Sequence, residues 1–363
     1  MLYTLAPRVH TNHLTSVNAK TMKKLLLSLS IASSLLLSAQ SVSMAAEAPK
    51  SIVTSFYPLA YMAEQIVGDN AEVINLAGSV DVHDYTPSPR DLVKLNKSDL
   101  VLFQGAELEA WADDVIPGLK EKGVATFEVS SNLTLAKMEE HEDHHDDHED
   151  EGEEKHSDEH HDKHEDKHEE NHKDKHDDHD DDEAGHDEHH HGEYDPHTWL
   201  DPVLAQQMVS EILKSVLAID SSNAAVYEAN AEALKTRFAT LDEAFKTGLA
   251  NCANDDVIIS HDAYGYLARR YGFTAHNITG ISSSDVPSAK ILADLKKEAA
   301  EGITHILIEE NNIRRFADTL ARETGLATLP ANPLGRGTLD PKKDFFDVME
   351  ENLSSFKTAL NCK

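Results

Sequence analysis

Apolar and polar positions along the chain repeat one order of elements twice. In the first half, Ser51–Ser55 is a short β-branched run. Tyr57–Val67 carries apolar residues at helical spacing and is stopped by Gly68, and Glu72–Leu76 reads as a strand. In the second half, Asp256–Ile259, Tyr264–Tyr271 stopped by Gly272, and Phe273–Asn277 follow the same order. Glycine ends both helical stretches because it enters the left-handed conformation without a Cβ penalty. The parallel continues. Ser88-Pro89-Arg90-Asp91 predicts an N-cap with proline at the first helical position, and its helix leads into the strand Leu100–Phe103. Ser288 likewise precedes a helix through Ala299, Gly302 ends that segment, and Ile303–Ile308 is a strand. Each half then has another helix and a further strand, Ala125–Val129 and Leu326–Pro330. Alternating strands and helices build parallel sheets covered on both faces, so the expected class is α/β, with two lobes of similar topology.

A long helical stretch lies between the halves. Asp220-Ser221-Ser222 supplies a cap, and Asn223 to Ala250 holds no proline and no glycine before Gly248. Val226, Ala229, Leu234, Phe238, Leu241 and Phe245 recur at three-, four- and five-residue steps. An unbroken helix of about 28 residues would be a stiff connector about 42 Å long; the alternative is two shorter helices bending near Ala239-Thr240. The expected boundaries are an N-terminal extension and signal over 1–46, a first lobe over 47–220 with an insertion at 139–193, a linking helix over 221–250 and a second lobe over 251–363.

The N-terminus has the layout of a secretory signal. Met22-Lys23-Lys24 is a basic start, Leu25–Leu37 an apolar run broken by serine, and Ser43-Met44-Ala45-Ala46 a cleavage region of small residues. The run is too short to span a bilayer permanently. Residues 1–21 read as an upstream extension, with Met22 as an alternative start. The expected product is exported, soluble and cleaved near Ala45-Ala46. In an oxidising compartment an even cysteine count points to a disulfide, here Cys252 with Cys362; two free thiols acting as metal ligands are the alternative.

Charge changes the picture at one place. The stretch Glu139–Glu193 holds 16 of the 23 histidines, with 28 acidic and 5 basic residues, so it carries most of the formal charge of -33. Imidazole and carboxylate together make a collector of divalent cations. Without metal, so few apolar residues cannot offset the entropy of ordering. His156, His160, His164, His168, His172 and His176 recur every fourth residue, a spacing that puts them on one face of a helix and lets pairs chelate a cation. A plain acidic linker is the bland reading, but a linker does not require histidine at such density. The acidity argues against a nucleic-acid partner, which needs a basic surface.

Five histidines remain outside the tract and the N-terminal extension. His83 lies in the loop after the second strand, His197 immediately after the tract, and His261 directly after the strand that opens the second half. Ligands of parallel sheets bind beyond the carboxyl ends of the strands, where His83 and His261 fall. His276 and His305 sit in strands and read as structural. Three imidazoles suit Zn²⁺ in tetrahedral geometry, with water or Asp340, in a loop after the last strand, at the fourth position. Asp340 reads equally well as a turn or N-cap residue of a helix starting near Pro341. Asp84 and Asp262, next to His83 and His261, are candidates to accept from the imidazole N–H groups. Three histidines plus water is also a hydrolase pattern, but no His-Glu-x-x-His motif or nucleophile elbow is present. A third reading is a metal buffer that works only through the tract.

Several of these segments resemble one family. Val53-Thr54-Ser55-Phe56-Tyr57-Pro58-Leu59, His83-Asp84-Tyr85-Thr86-Pro87-Ser88-Pro89, Asp195-Pro196-His197-Thr198-Trp199-Leu200-Asp201-Pro202, Ser260-His261-Asp262-Ala263-Tyr264-Gly265-Tyr266 and Gly337-Thr338-Leu339-Asp340-Pro341 are similar to the metal-binding proteins of cluster A-I ABC importers, and within them to the periplasmic zinc-uptake branch of the ZnuA type. The resemblance implies two Rossmann-like lobes joined by a long rigid helix, with a metal site between them. It implies His83, His197 and His261 as the ligands in turn. Where the manganese branch usually has a carboxylate at the third position, this chain has His261, and a nitrogen-rich site favours zinc. Some zinc-branch members carry Glu directly before the first ligand; here that residue is Val82. The family also implies a disulfide in the C-terminal lobe. The implied function is non-enzymatic: a monomeric periplasmic receptor that captures Zn²⁺ and hands it to an ABC-type permease driven by a cytoplasmic ATPase, with the tract as an accessory collector.

Overall fold

β-Branched and aliphatic runs of four to six residues form the strands of two parallel sheets. The computed structural model describes residues 48–138, 193–280, 286–309, 314–337 and 340–363. Residues 1–47, which include the expected signal, and nearly all of the histidine-rich tract, including His156, His160, His164, His168, His172 and His176, lie outside the described residues. In the first lobe β1 (Lys50–Thr54), β2 (Ala71–Asn75), β3 (Leu100–Phe103) and β4 (Ala125–Glu128) pair in the order β2-β1-β3-β4. In the second, β5 (Asp256–His261), β6 (Thr274–Thr279), β7 (His305–Ile308) and β8 (Ala327–Pro330) pair in the order β6-β5-β7-β8. Every pairing is parallel. The shared order puts the point where the winding reverses between β1 and β3 in one lobe and between β5 and β7 in the other. Ligands of open α/β sheets bind outside the strand ends at that point.

The crossover helices follow the expected signals. α1 (Tyr57–Val67) has proline in its first turn and ends at Gly68 with φ 54°. α2 (Pro89–Lys97) starts with a full capping box, in which Ser88 accepts from the Asp91 N–H and Asp91 accepts from the Ser88 N–H. α3 (Ala112–Glu121), α6 (Gly265–Tyr271), α7 (Ala289–Ala299, capped by Ser288) and α8 (Arg314–Thr324) complete the crossovers. α4 (Pro202–Ile219) begins on an Asp201 side chain that accepts from Val203 N and Leu204 N. α9 (Phe345–Ala359) begins after Asp344, four residues later than the Pro341 signal, because Asp344 and Asp347 form a capping box there.

α5 (Ala224–Gly248) is one unbroken helix of 25 residues, so the two-helix alternative does not hold. At 1.5 Å per residue it is about 37 Å long. Its N-cap is Asn223, which makes no side-chain cap bond. The expected cap from residues 220–222 is instead a turn. There the Asp220 carboxylate accepts from the Ser222 N–H, Asn223 Nδ2 and the Tyr227 hydroxyl.

Alternate residues of each strand face two different cores. Val53, Val101 and Phe103 pack outward with Leu95, Trp111 and Leu119, while Ile258, Ile306 and Ile308 do the same with Leu295 and Leu320. The opposite faces, with Ile52, Leu102, Val257 and Ile259, share one continuous apolar cluster with residues of α1, α4, α5 and α9. The lobes are thus joined by packed helix rather than by flexible strands, and the chain from Pro49 onward is one compact unit. Cys252 and Cys362 form a disulfide that ties the end of the α5 connection to the end of α9. No described helix is long and apolar enough to cross a membrane.

Candidate metal centre

Three short elements deliver the histidines. His83 sits in a 3₁₀ turn, Val82–Asp84, whose cap is Asp81: one carboxylate oxygen accepts from the His83 N–H at 3.1 Å. His197 precedes the turn Thr198–Leu200. Asp195 Oδ1 accepts from the His197 backbone N–H and faces ring Nδ1, both at 2.9 Å. Gln104, just after β3, straddles the same histidine: its Nε2 donates to Pro196 O at 3.0 Å and to Thr198 Oγ1 at 2.8 Å. Glu109 in turn accepts from the Gln104 and Gly105 N–H groups and from the Ser55 hydroxyl. His261 is the last residue of β5, and Glu309, directly after the neighbouring β7, places Oε2 3.1 Å from its Nδ1.

The three imidazoles converge. Each offers one ring nitrogen, and those nitrogens all lie within 4.8 Å of one another. His83 Nε2 and His197 Nε2 are 3.2 Å apart. Two nitrogens on a tetrahedral Zn²⁺ with bonds near 2.05 Å would be about 3.3 Å apart, so the spacing is that of a chelate. Carboxylates opposite Nδ1 of His197 and His261 hold the ring proton there and leave each Nε2 lone pair for a cation. His197 and His261 are 0% and 2% exposed, so a bound cation would be drawn into a largely dry site. Burial, and then the neighbouring imidazoles, push the His83 and His197 pKa values well below the ordinary range, which keeps both rings neutral near pH 7. Burial also pushes the Asp195 carboxyl up to about 6.

The remaining candidates go elsewhere. Asp340 stands in a turn, where its side chain accepts from the Lys342 N–H, and it is not part of the three-histidine group. His276 lies in β6 between Asp256 and Glu298, each 2.9 Å from a ring nitrogen. His305 opens β7, with the Thr304 hydroxyl 2.8 Å from Nδ1. Cys252 and Cys362 are bonded to each other and are not thiol ligands. Sequence adjacency had singled out Asp84 and Asp262 as acceptors. The carboxylates against the rings are Asp195, two residues before its histidine, and Glu309, 48 residues after His261. Asp262 follows the last residue of a strand, where successive side chains point to opposite sides, and Asp84 follows His83 in a 3₁₀ turn, where they are about 120° apart, so an adjacent aspartate is poorly aimed at its neighbour's ring. Neither stood out along the chain for this role: Asp195 lies inside its motif, two residues before the ligand, and Glu309 shows only as an acidic residue at a strand's carboxyl end.

The family profile described as "ZnuA: Zinc-uptake complex component A periplasmic" matches residues 52–359. The zinc-binding lipoprotein AdcA of Streptococcus pneumoniae is 30% identical over 347 residues, covering 94% of this chain; the chain spans 62% of that relative's length. The high-affinity zinc uptake system protein ZnuA of Bacillus subtilis is 30% identical over 317 residues, 86% of this chain and 88% of its own. Among solved structures, a Zn(II)-bound variant of AdcAII from Streptococcus pneumoniae superposes with a TM-score of 0.67 at 26% identity, covering 86% of this chain and 98% of that one. The chain belongs to the ZnuA family, the periplasmic component A of the zinc-uptake complex.

Proposed function

We propose that this protein is an exported zinc receptor that captures Zn²⁺ at His83, His197 and His261 and delivers it to an ABC-type permease driven by a cytoplasmic ATPase. The observation that carries the reading is the convergence of three imidazole nitrogens, two of them from rings whose Nδ1 faces a buried carboxylate. Three neutral nitrogens favour Zn²⁺ over the harder Mn²⁺, and water completes the fourth position. The family consists of transport components rather than enzymes, which sets the hydrolase reading aside. The receptor works as a monomer in the periplasm, its signal removed near Ala45-Ala46. The tract collects further Zn²⁺ more weakly. Because it joins the chain only a few residues before His197, it raises the effective concentration of metal at the main site.

Calorimetric zinc titration of three proteins tests this: the parent, a deletion of residues 140–191, and the combined His83→Ala/His197→Ala/His261→Ala variant. The deletion should keep one tight site and lose the weak ones, and the triple variant should lose the tight site. Tight binding by the triple variant would leave only the buffer reading. Loss of the tight site on deletion would remove the accessory role of the tract.

A further inference from the structure

The loop 331–337 runs from β8 across to the first lobe, and its shape is held from behind. Asn352, buried on α9, donates from Nδ2 to Asn332 O and accepts from Asn332 N, both at 2.8 Å. The Asn332 side chain accepts from the Leu334 N–H at 2.7 Å and donates to Gly337 O at 3.3 Å. Between them Leu334 is held at φ 65°, a left-handed conformation that a residue with a Cβ keeps only where its surroundings over-determine it.

The far side of the loop lies against the turns that carry the first-lobe histidines. Arg336 Nε reaches Asp81 Oδ2 at 3.2 Å, and the other oxygen of Asp81 accepts from the His83 N–H. Asp81 is buried, so its charge needs a partner. A Cβ on Gly335 would come within 3.6 Å of Asp81 Oδ1 and 3.8 Å of Val82, and one on Gly337 within 3.0 Å of the Tyr57 ring. Pro333 O accepts from Trp199 Nε1 at 2.7 Å, and the Trp199 ring lies 5.1 Å from that of His197. One loop of the second lobe therefore grips both first-lobe turns, while His261 belongs to the second lobe's own sheet.

We infer that Arg336, acting through Asp81, is a positioning residue that holds His83 in the ligand set, so that the loop 331–337 controls how long the metal stays bound. The inference rests on the reading of the three histidines as the zinc site. A partner that lifted this loop would loosen His83 and the turn beside His197 together, and the site would open without any change in the sheets.

The test measures zinc release into excess chelator from the full chain, with folding checked by circular dichroism. The proteins are the parent, Arg336→Met, Arg336→Lys, Asp81→Asn and, as a control on the site itself, His83→Ala. Arg336→Met keeps the aliphatic stem and loses the charged fork. Asp81→Asn keeps an oxygen for the His83 N–H and removes the charge that Arg336 meets, so it probes the same link without altering the loop. Arg336→Met and Asp81→Asn should each release zinc about 10-fold faster, as changes behind a metal ligand typically do, with Arg336→Lys in between. The visible spectrum of the Co²⁺-loaded Arg336→Met protein should change, which a purely structural residue would not cause. If both variants release zinc within about twofold of the parent while His83→Ala abolishes tight binding, the positioning role is wrong. If His83→Ala itself retains tight binding, the zinc-site reading fails, and the inference with it.

Discussion

A buried imidazole serves as a metal ligand only while it is neutral, and protonation competes with the cation for the same lone pair. The depressed pKa values of His83 and His197 bear on stability as well as on binding. Below about pH 6.5 the unfolded chain takes up protons that these two folded imidazoles refuse, so their contribution is intact above that pH and lost as the pH falls. Asp195 works in the opposite sense. With its folded pKa near 6, it favours the folded state at low pH, and that contribution disappears as the pH rises through 6. The two histidines oppose Asp195 and the buried Glu109, whose carboxyl burial pushes up in the same way. The histidines lose stability over the whole interval from about pH 6.5 down, whereas Asp195 gains only below about 6. Urea unfolding of the metal-free protein should therefore give a lower midpoint at about pH 5 than at about pH 7. Saturating zinc should raise both midpoints, and more at the higher pH, where no proton has to leave a ligand. A metal-free midpoint that climbed on acidification would contradict this account of the site.

Among the elements, α5 carries the mechanical load between the lobes. Phe238, near its middle, is fully buried against Phe345 and Phe346 of α9, with ring centroids 5.5 and 4.8 Å away. Phe238→Ala leaves a cavity where helix meets helix and should lower the unfolding free energy by about 3–5 kcal/mol. Zinc affinity measured under native conditions should change far less, because the three histidines are held by turns at the strand ends and not by α5 itself. The capping box of α2 and the Asp201 cap of α4 serve the same end at smaller scale: they fix where helices begin, and so where the loops bearing His83 and His197 must turn.

At the scale of the molecule, one apolar cluster runs through both lobes, so the protein resists large hinge opening. The disulfide strengthens the same frame by closing a sequence separation of 110 residues. Chain-entropy arguments put the stabilisation from a loop of that length at about 4–5 kcal/mol. The Cys252→Ser/Cys362→Ser variant should melt earlier by an amount of that order while keeping its zinc stoichiometry, since neither sulfur lies among the converging ligand atoms. A loss of the tight site in that variant would mean that the second lobe needs the crosslink to hold His261 in place.

The order of strands and helices, the glycine stops, the Ser88 cap and the helical run through α5 were legible in the sequence because each rests on local chemistry: side-chain periodicity, φ freedom and hydrogen bonds a few residues long. His83 and His261 were legible because parallel topology sends the loops after the strands to one end, and His197 through its place after the tract and its Asp-Pro-His-Thr-Trp motif. What tertiary structure alone decided is how those rings are held. Glu309 meets His261 across two strands, Gln104 reaches over His197 from the end of β3, and Arg336 comes to Asp81 from a position 255 residues away in sequence. No spacing along the chain encodes such contacts. The first two exist only once each lobe has wound its own sheet and turns, and the third only once the two lobes are packed together; Asp340 in its turn and the last helix starting after Asp344 are, by contrast, set by hydrogen bonds a few residues long.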